Sequence, residues 1–220
     1  KNIKQKRIKL NWKKTKKLSS MAKKNLYLIR HGKASMEGSD RERVLDNDGK
    51  TQAISLCKKI KKQFKNQKIR IISSPFKRAM QTIEKLSSDM SINIEQSDSL
   101  EEIRIGKDEN LSKHQIIEKM WSDENFKVKN GSSQSEHVKM IKQNIEKILN
   151  DFYENNYNLI LVSHGNSIGI ILKYFLNTSF TFNDWKKISM PDMYCLEFDK
   201  KNDVVNFKRD IEGIEKIFTI

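Results

Sequence analysis

The amino-acid sequence predicts an α/β fold, a three-layer sandwich with a mostly parallel central sheet and helices on both faces. Three observations predict it. Apolar runs of strand length recur along the 220 residues, amphipathic segments of helix length separate them, and neither a repeat nor an interior linker interrupts the alternation. Strands joined through helices build a parallel sheet whose two sides are both covered.

The first strand is expected at residues 25–30, followed by a loop and a helix over about 48–64, where Ile54, Cys57, Ile60, Lys61 and Phe64 recur at helical spacing. A strand at 69–73 leads to a helix opened by Ser74-Pro75, since proline is tolerated in a first turn. A short strand is expected at 92–95. Residues 107–133 are polar and weakly periodic, which suggests a small helical insertion with a loop, a lid over whatever site the fold carries. A long helix at about 135–153, the most apolar strand at 158–163 and a helix at 167–175 follow. Residues 193–198 and 204–208 read as a closing antiparallel pair. The whole of 25–220 is expected to be one domain, large enough to bury a core without a metal or disulfide staple.

Charge narrows the function classes. The chain has 43 Lys and Arg against 28 Asp and Glu, but residues 1–24 hold 11 of the basic residues and no acidic one. The body therefore carries 32 basic against 28 acidic residues, a net +4, without a polybasic stripe interleaved with aromatics. The basicity belongs to residues 1–24, expected to be a solvated, disordered arm. Binding of RNA or an anionic membrane surface by that arm is the alternative. Met21, just before the first strand, stands where the functional protein would start, and a mitochondrial presequence fits less well because the arm has much Lys and little Arg. Cys57 and Cys195 lie far apart with no ligand spacing, which implies free, buried thiols in a reducing, cytoplasmic setting. No run approaches the ~20 apolar residues that span a bilayer.

Open α/β sheets collect their functional groups beyond the carboxyl ends of the strands, where loops border a crevice and helix N-termini point into it. Two of the four histidines, His31 and His164, stand there, at the ends of LYLIRH and LILVSH, each followed by a glycine, Gly32 and Gly165. Arg30 precedes His31, and Arg78 lies in SSPFKRAMQT beyond the second strand. Two imidazoles and two guanidinium groups on one sheet edge make a cationic pocket, and its natural ligand is a tetrahedral dianion such as phosphate. The other histidines, His114 and His137, fall in polar segments without ligand spacing and are expected at the surface, so no metal is expected.

LIRHGKAS, SSPFKRAMQT and LVSHGNS, in this order, resemble the signatures of the histidine phosphatase superfamily, the phosphoglycerate mutase-like proteins. RERVLDNDGKTQA and PDMYCLEFD are similar to further family segments, and the resemblance covers about residues 25–198. It implies a phosphoglycerate mutase-like fold and a phosphatase of phosphate monoesters that needs no cofactor. His31 would be the nucleophile, forming a phosphohistidine, with Arg30, Arg78 and His164 holding the phosphoryl oxygens. His164 should gain its proton together with the ligand, because two arginines oppose its charge beforehand. The pattern Leu-x-Glu-Ile-x-x-Gly matches Leu100, Glu102, Ile103 and Gly106, making Glu102 the proton donor, with Glu101 the adjacent rival. Gly165, Ser35 and Lys33 complete the expected substrate contacts.

Two departures from the family pattern bear on the substrate. Lys33, Ala34 and Ser35 follow the Arg-His-Gly triplet where relatives often carry Glu or Gln, and GSSQSE replaces Gly-Glu-Ser, displacing the glutamate to Glu136. The Trp-Asn extension and larger insertion of the mutases are not seen, so a phosphatase acting on a phosphorylated small molecule is expected. A mutase or bisphosphatase, a phosphohistidine protein phosphatase and a non-catalytic phosphate-recognising module remain the alternatives.

Overall fold

The computed structural model describes residues 24–176, 180–198, 204–211 and 214–218, so the expectations about the arm and Met21 lie outside the described residues. Seven strands form one sheet in the order β3-β2-β4-β1-β5-β6-β7. The first strand, β1 (Lys24–Arg30), lies at the centre. It runs parallel to β4 (Asn158–Ser163), which is parallel to β2 (Ile69–Ser73), which is parallel to β3 (Ile94–Gln96). On its other side β1 meets the antiparallel β5 (Asp192–Phe198), then β6 (Val204–Ile211) and β7 (Ile214–Phe218). The expected closing pair is thus β5 and β6, and β7 extends it by one strand.

Side chains on successive strand residues point to opposite faces, so the apolar strands feed two cores. Tyr27, Ile29, Ile71, Ile160 and Val162 pack with Cys57, Ile60, Phe64, Ile83 and Leu86 from α1 (Asn47–Gln63) and α2 (Lys77–Met90). Leu26, Leu28, Ile72, Leu159 and Leu161 pack beneath α3 (Lys113–Ser122), α4 (Gln134–Glu154) and α5 (Gly165–Leu176). A single turn, α6 (Phe182–Trp185), follows. This is the expected three-layer sandwich.

Local details depart from expectation for identifiable reasons. Helix α1 begins when Asp46 accepts a hydrogen bond from the Gly49 amide, and its inner stripe is Gly49, Ala53, Cys57 and Ile60, leaving Ile54 44% exposed. Pro75 does not open α2. The Ser74 hydroxyl accepts from the Phe76 amide, forming a turn in which Pro75 sits, and the helix starts at Lys77. Cys57 is buried as expected, and Cys195 is half-buried.

The largest correction concerns His137. The polar character of its segment predicts a surface position, yet it is 5% exposed. The capping box of Ser133 and Glu136 sets the phase of α4, and His137 then heads the inner stripe that continues through Ile141, Ile145, Leu149 and Phe152. His114 is exposed.

The insertion is pinched at its base. The Lys107 amide donates to the Lys129 carbonyl and the Ser132 amide to the Arg104 carbonyl. Gly106, at φ 75°, lies where a Cβ would come within 2.6 Å of Gly131 N and Lys129 O. Only glycine accepts both the left-handed conformation and this approach. The closure holds the loop that carries Glu101 and Glu102 against the ends of β4 and α5.

Candidate active site

Because β1 and β4 are neighbours in parallel register, with Arg30 opposite Ser163, their next residues emerge side by side. The His31 amide donates to the Ser163 carbonyl, and the Ser74 amide to the Val162 carbonyl, extending the ladder one residue past each strand. The imidazoles of His31 and His164 meet edge to face with centroids 5.0 Å apart. Both are buried, at 6% and 0% exposure.

Hydrogen bonds fix how His31 carries its proton. Its Nδ1 is 2.7 Å from the Gly32 carbonyl, which only accepts, so Nδ1 holds the hydrogen and Nε2 keeps a lone pair. The Arg78 Nε–H donates to that Nε2 at 3.1 Å. Burial, then the Arg78 charge, push the His31 pKa down to about 3, against the opposing hydrogen bond to Gly32. The ring is neutral at ordinary pH.

His164 Nε2 lies 2.8 Å from the Ser74 hydroxyl, and its ring packs against Phe76. Burial first, and then His31, Arg78, Arg30 and Arg43, hold its pKa well below the ordinary histidine value. The ring is therefore neutral at ordinary pH.

The two arginines are anchored differently. Arg30 donates from Nη1 to the carbonyls of Ile188 at 2.7 Å and Ser189 at 3.3 Å, and burial lowers its pKa against the support of Glu102 and Asp192. Asp192 in turn fixes that loop, accepting from the Ser189 amide, the Tyr194 hydroxyl and Arg209. Arg78, 2% exposed, lies over the Phe76 ring and donates through Nη1 to the Asp40 carbonyl, with Nη2 3.4 Å from the Asp40 carboxylate. Gly165 lies under Arg30: a Cβ there would stand 3.0 Å from Cζ of the guanidinium. A side chain after His164 would thus press on a packed arginine, and the backbone there makes no unusual turn. Two polar atoms in this cluster, Arg30 Nε and His164 Nδ1, are buried without a hydrogen-bond partner, a rarity that points to a ligand with oxygens to offer.

Glu102 is held at the first turn of α5, which follows His164 in sequence. Its Oε1 accepts from the Ile103 and Ser167 amides at 3.1 Å each, and its Oε2 from the Asn166 amide at 3.3 Å. Its charge acts on both Arg30 and Arg78. Glu101 turns outward to a 2.5 Å ion pair with Arg41.

The remaining expected contacts are engaged elsewhere. Lys33 pairs with Asp48 at 2.6 Å and Asp46 at 3.4 Å, and the Ser35 hydroxyl accepts from the Glu37 amide. Glu136 closes the α4 capping box and pairs with Lys127. Sequence reasoning missed Ser74, Asp40 and Arg43 as neighbours of the histidines. Ser74 was open to the same strand-end rule that found His31. Asp40 and Arg43 sit in an irregular loop, and no periodicity marks them. Among the described residues no group of three or more His, Cys, Asp or Glu is placed to hold a metal ion, and no helix is long and apolar enough to cross a membrane.

Fold and site together define an α/β protein with two histidines and two arginines gathered at the carboxyl edge of its parallel strands. The chain belongs to the histidine phosphatase superfamily (branch 1), whose family model matches residues 26–210. No curated protein sequence matches it. Among solved structures it is similar to a mycobacterial glucosyl-3-phosphoglycerate phosphatase, at 18% identity and a TM-score of 0.67, over 86% of this chain and 98% of that one. It is also similar to a mutant phosphoserine phosphatase of Entamoeba histolytica in complex with phosphoserine, at 21% identity and a TM-score of 0.65, over 89% and 95%. At such identities the likeness is one of fold.

Proposed function

We propose that the protein is a phosphatase that hydrolyses phosphate monoesters of small molecules through a phosphohistidine on His31, with Glu102 as proton donor. The observation that carries this reading is the neutral His31 ring, its Nδ1–H tied to the Gly32 carbonyl and its Nε2 lone pair facing Arg78. A neutral imidazole with its lone pair on Nε2 is a nucleophile toward phosphorus once the Arg78 hydrogen bond moves off that nitrogen.

In the first half-reaction Nε2 attacks phosphorus in line and the bond from phosphorus to the ester oxygen breaks. Glu102 gives its proton to the departing alkoxide. The positive charge that develops on the His31 ring is shared with the Gly32 carbonyl through Nδ1–H. Arg78, keeping its proton, redirects the hydrogen bond of its Nε–H from the ring to a phosphoryl oxygen, and Arg30 Nε and His164 Nδ1 meet the other equatorial oxygens, which satisfies both unpartnered atoms. In the second half-reaction the Glu102 carboxylate takes a proton from water as the water oxygen attacks phosphorus. The phosphorus–nitrogen bond breaks, its electron pair returns to Nε2, and inorganic phosphate leaves.

Incubation with a labelled phosphomonoester followed by a denaturing quench tests this. Wild type should retain acid-labile, base-stable label and His31→Ala none. Turnover that persists in His31→Ala, or that disappears with chelator, refutes the phosphohistidine route.

A further inference from the structure

Buried beside the site is a titratable group that the proposed mechanism does not use. His137, on the first turn of α4, places Nε2 2.9 Å from the Ser167 hydroxyl on the first turn of α5. That hydroxyl also lies 2.6 Å from the Glu101 carbonyl and 3.2 Å from Glu102 Oε1. The carbonyl only accepts, as does the carboxylate when ionised, so the single Ser167 proton is committed to them, to the nearer carbonyl above all. Toward His137 the hydroxyl must therefore accept, and His137 carries its hydrogen on Nε2, the opposite tautomer to His31. Burial lowers the His137 pKa to about 4, so the ring is a neutral donor.

We propose that His137 is a positioning residue for proton transfer, acting through the Ser167 hydroxyl to hold Glu102 at the leaving-group side. The chain of contacts is short and wholly internal: His137 and Ser167 are 5% and 0% exposed, and Ser167 holds Oε1 of Glu102 through both its amide and its hydroxyl. By donating to Ser167, His137 removes the alternative in which the hydroxyl turns its proton to α4 and releases the 101–102 loop. It touches no substrate atom. This rests on the reading of Glu102 as the acid.

The test compares an alkyl phosphate, whose leaving group needs a proton, with p-nitrophenyl phosphate, whose leaving group barely does. His137→Phe, which keeps a ring but loses the donor, should lower kcat on the alkyl phosphate about tenfold at unchanged KM. Its kcat on p-nitrophenyl phosphate should stay within twofold. His137→Gln, whose amide restores a donor, should recover most of the loss. A His137→Phe/Glu102→Gln double variant should be no slower on the alkyl phosphate than Glu102→Gln alone. Equal losses on both substrates, no loss, or an additive double variant would overturn the role of His137. If Glu102→Gln is selective for the alkyl phosphate and His137→Phe is not, only the His137 proposal fails. If Glu102→Gln is not selective, the acid assignment fails and takes this one with it. Should His137→Phe not fold, Ser167→Ala with the same substrate pair replaces it, with the same selective loss expected and the same overturning results.

Discussion

Substituting alanine for Gly165 probes the proposed role of Arg30 with one methyl group. The added Cβ would lie 3.0 Å from Arg30 Cζ, 3.1 Å from Nη2 and 3.2 Å from Nε, inside ordinary contact distance, so the guanidinium has to retreat by a few tenths of an ångström. Retreat is resisted, because Nη1 is held at 2.7 Å by the Ile188 carbonyl. Either that bond or the one to the phosphoryl oxygen is strained. A hydrogen bond to a charged group is worth about 1.5–3 kcal/mol. If it is lost from the transition state, kcat/KM falls about 10- to 100-fold. The assay is steady-state hydrolysis of p-nitrophenyl phosphate, read beside the thermal midpoint. Gly169→Ala is the control: its Cβ would meet Trp121 at 2.9 Å, away from the pocket, so it should lower the midpoint and spare kcat. A folded Gly165→Ala variant with kcat/KM within twofold of wild type would refute the assignment of Arg30 to the phosphoryl group.

Acid should destabilise the protein well before its carboxylates titrate. The pKa values of His31 and His137 are lowered to about 3 and about 4, so the unfolded chain binds more protons and stability is lost as pH falls below 6.5. Between pH 7 and pH 5 each ring contributes a loss of about 2 kcal/mol, and His164 acts in the same direction. Urea midpoints at the two pH values check this, and equal midpoints contradict it. Asp192→Ala leaves Arg209 without its buried partner and should cost about 3–5 kcal/mol in denaturant unfolding, with weakened phosphate binding because the 188–189 loop carries Arg30. Gly49→Ala should abolish soluble expression, since a Cβ there would lie 1.9 Å from the Lys33 carbonyl oxygen, a backbone atom with nowhere to go.

The strand ends were legible because period and composition mark buried strands, and a parallel sheet gathers the residues just beyond its strands at one edge. Leu26 to Ile29 and Leu159 to Val162 are almost entirely buried, and that apolarity alone located His31 and His164. The burial of His137 was not legible from composition, since its neighbours Ser135, Glu136 and Lys139 are polar. Only the phase of α4 brings it inward. Lys33 and Glu136 show the converse, charges whose nearest partners come from elements set by folding rather than from their neighbours in sequence.

By itself the sequence determined the layer architecture, the two histidines at strand ends and the arginines that accompany them, because these depend on local periodicity and on the direction of the chain. The tertiary structure decided what no local pattern contains. It set which nitrogen of His31 and of His137 keeps its proton, since a tautomer depends on partners such as Gly32 and Ser167. It also decided that Glu102 is held by the amides of α5 while Glu101 pairs with Arg41. Adjacent residues on an extended loop point to opposite sides, and only the packing of that loop against α5 and Arg41 chooses which carboxylate meets α5.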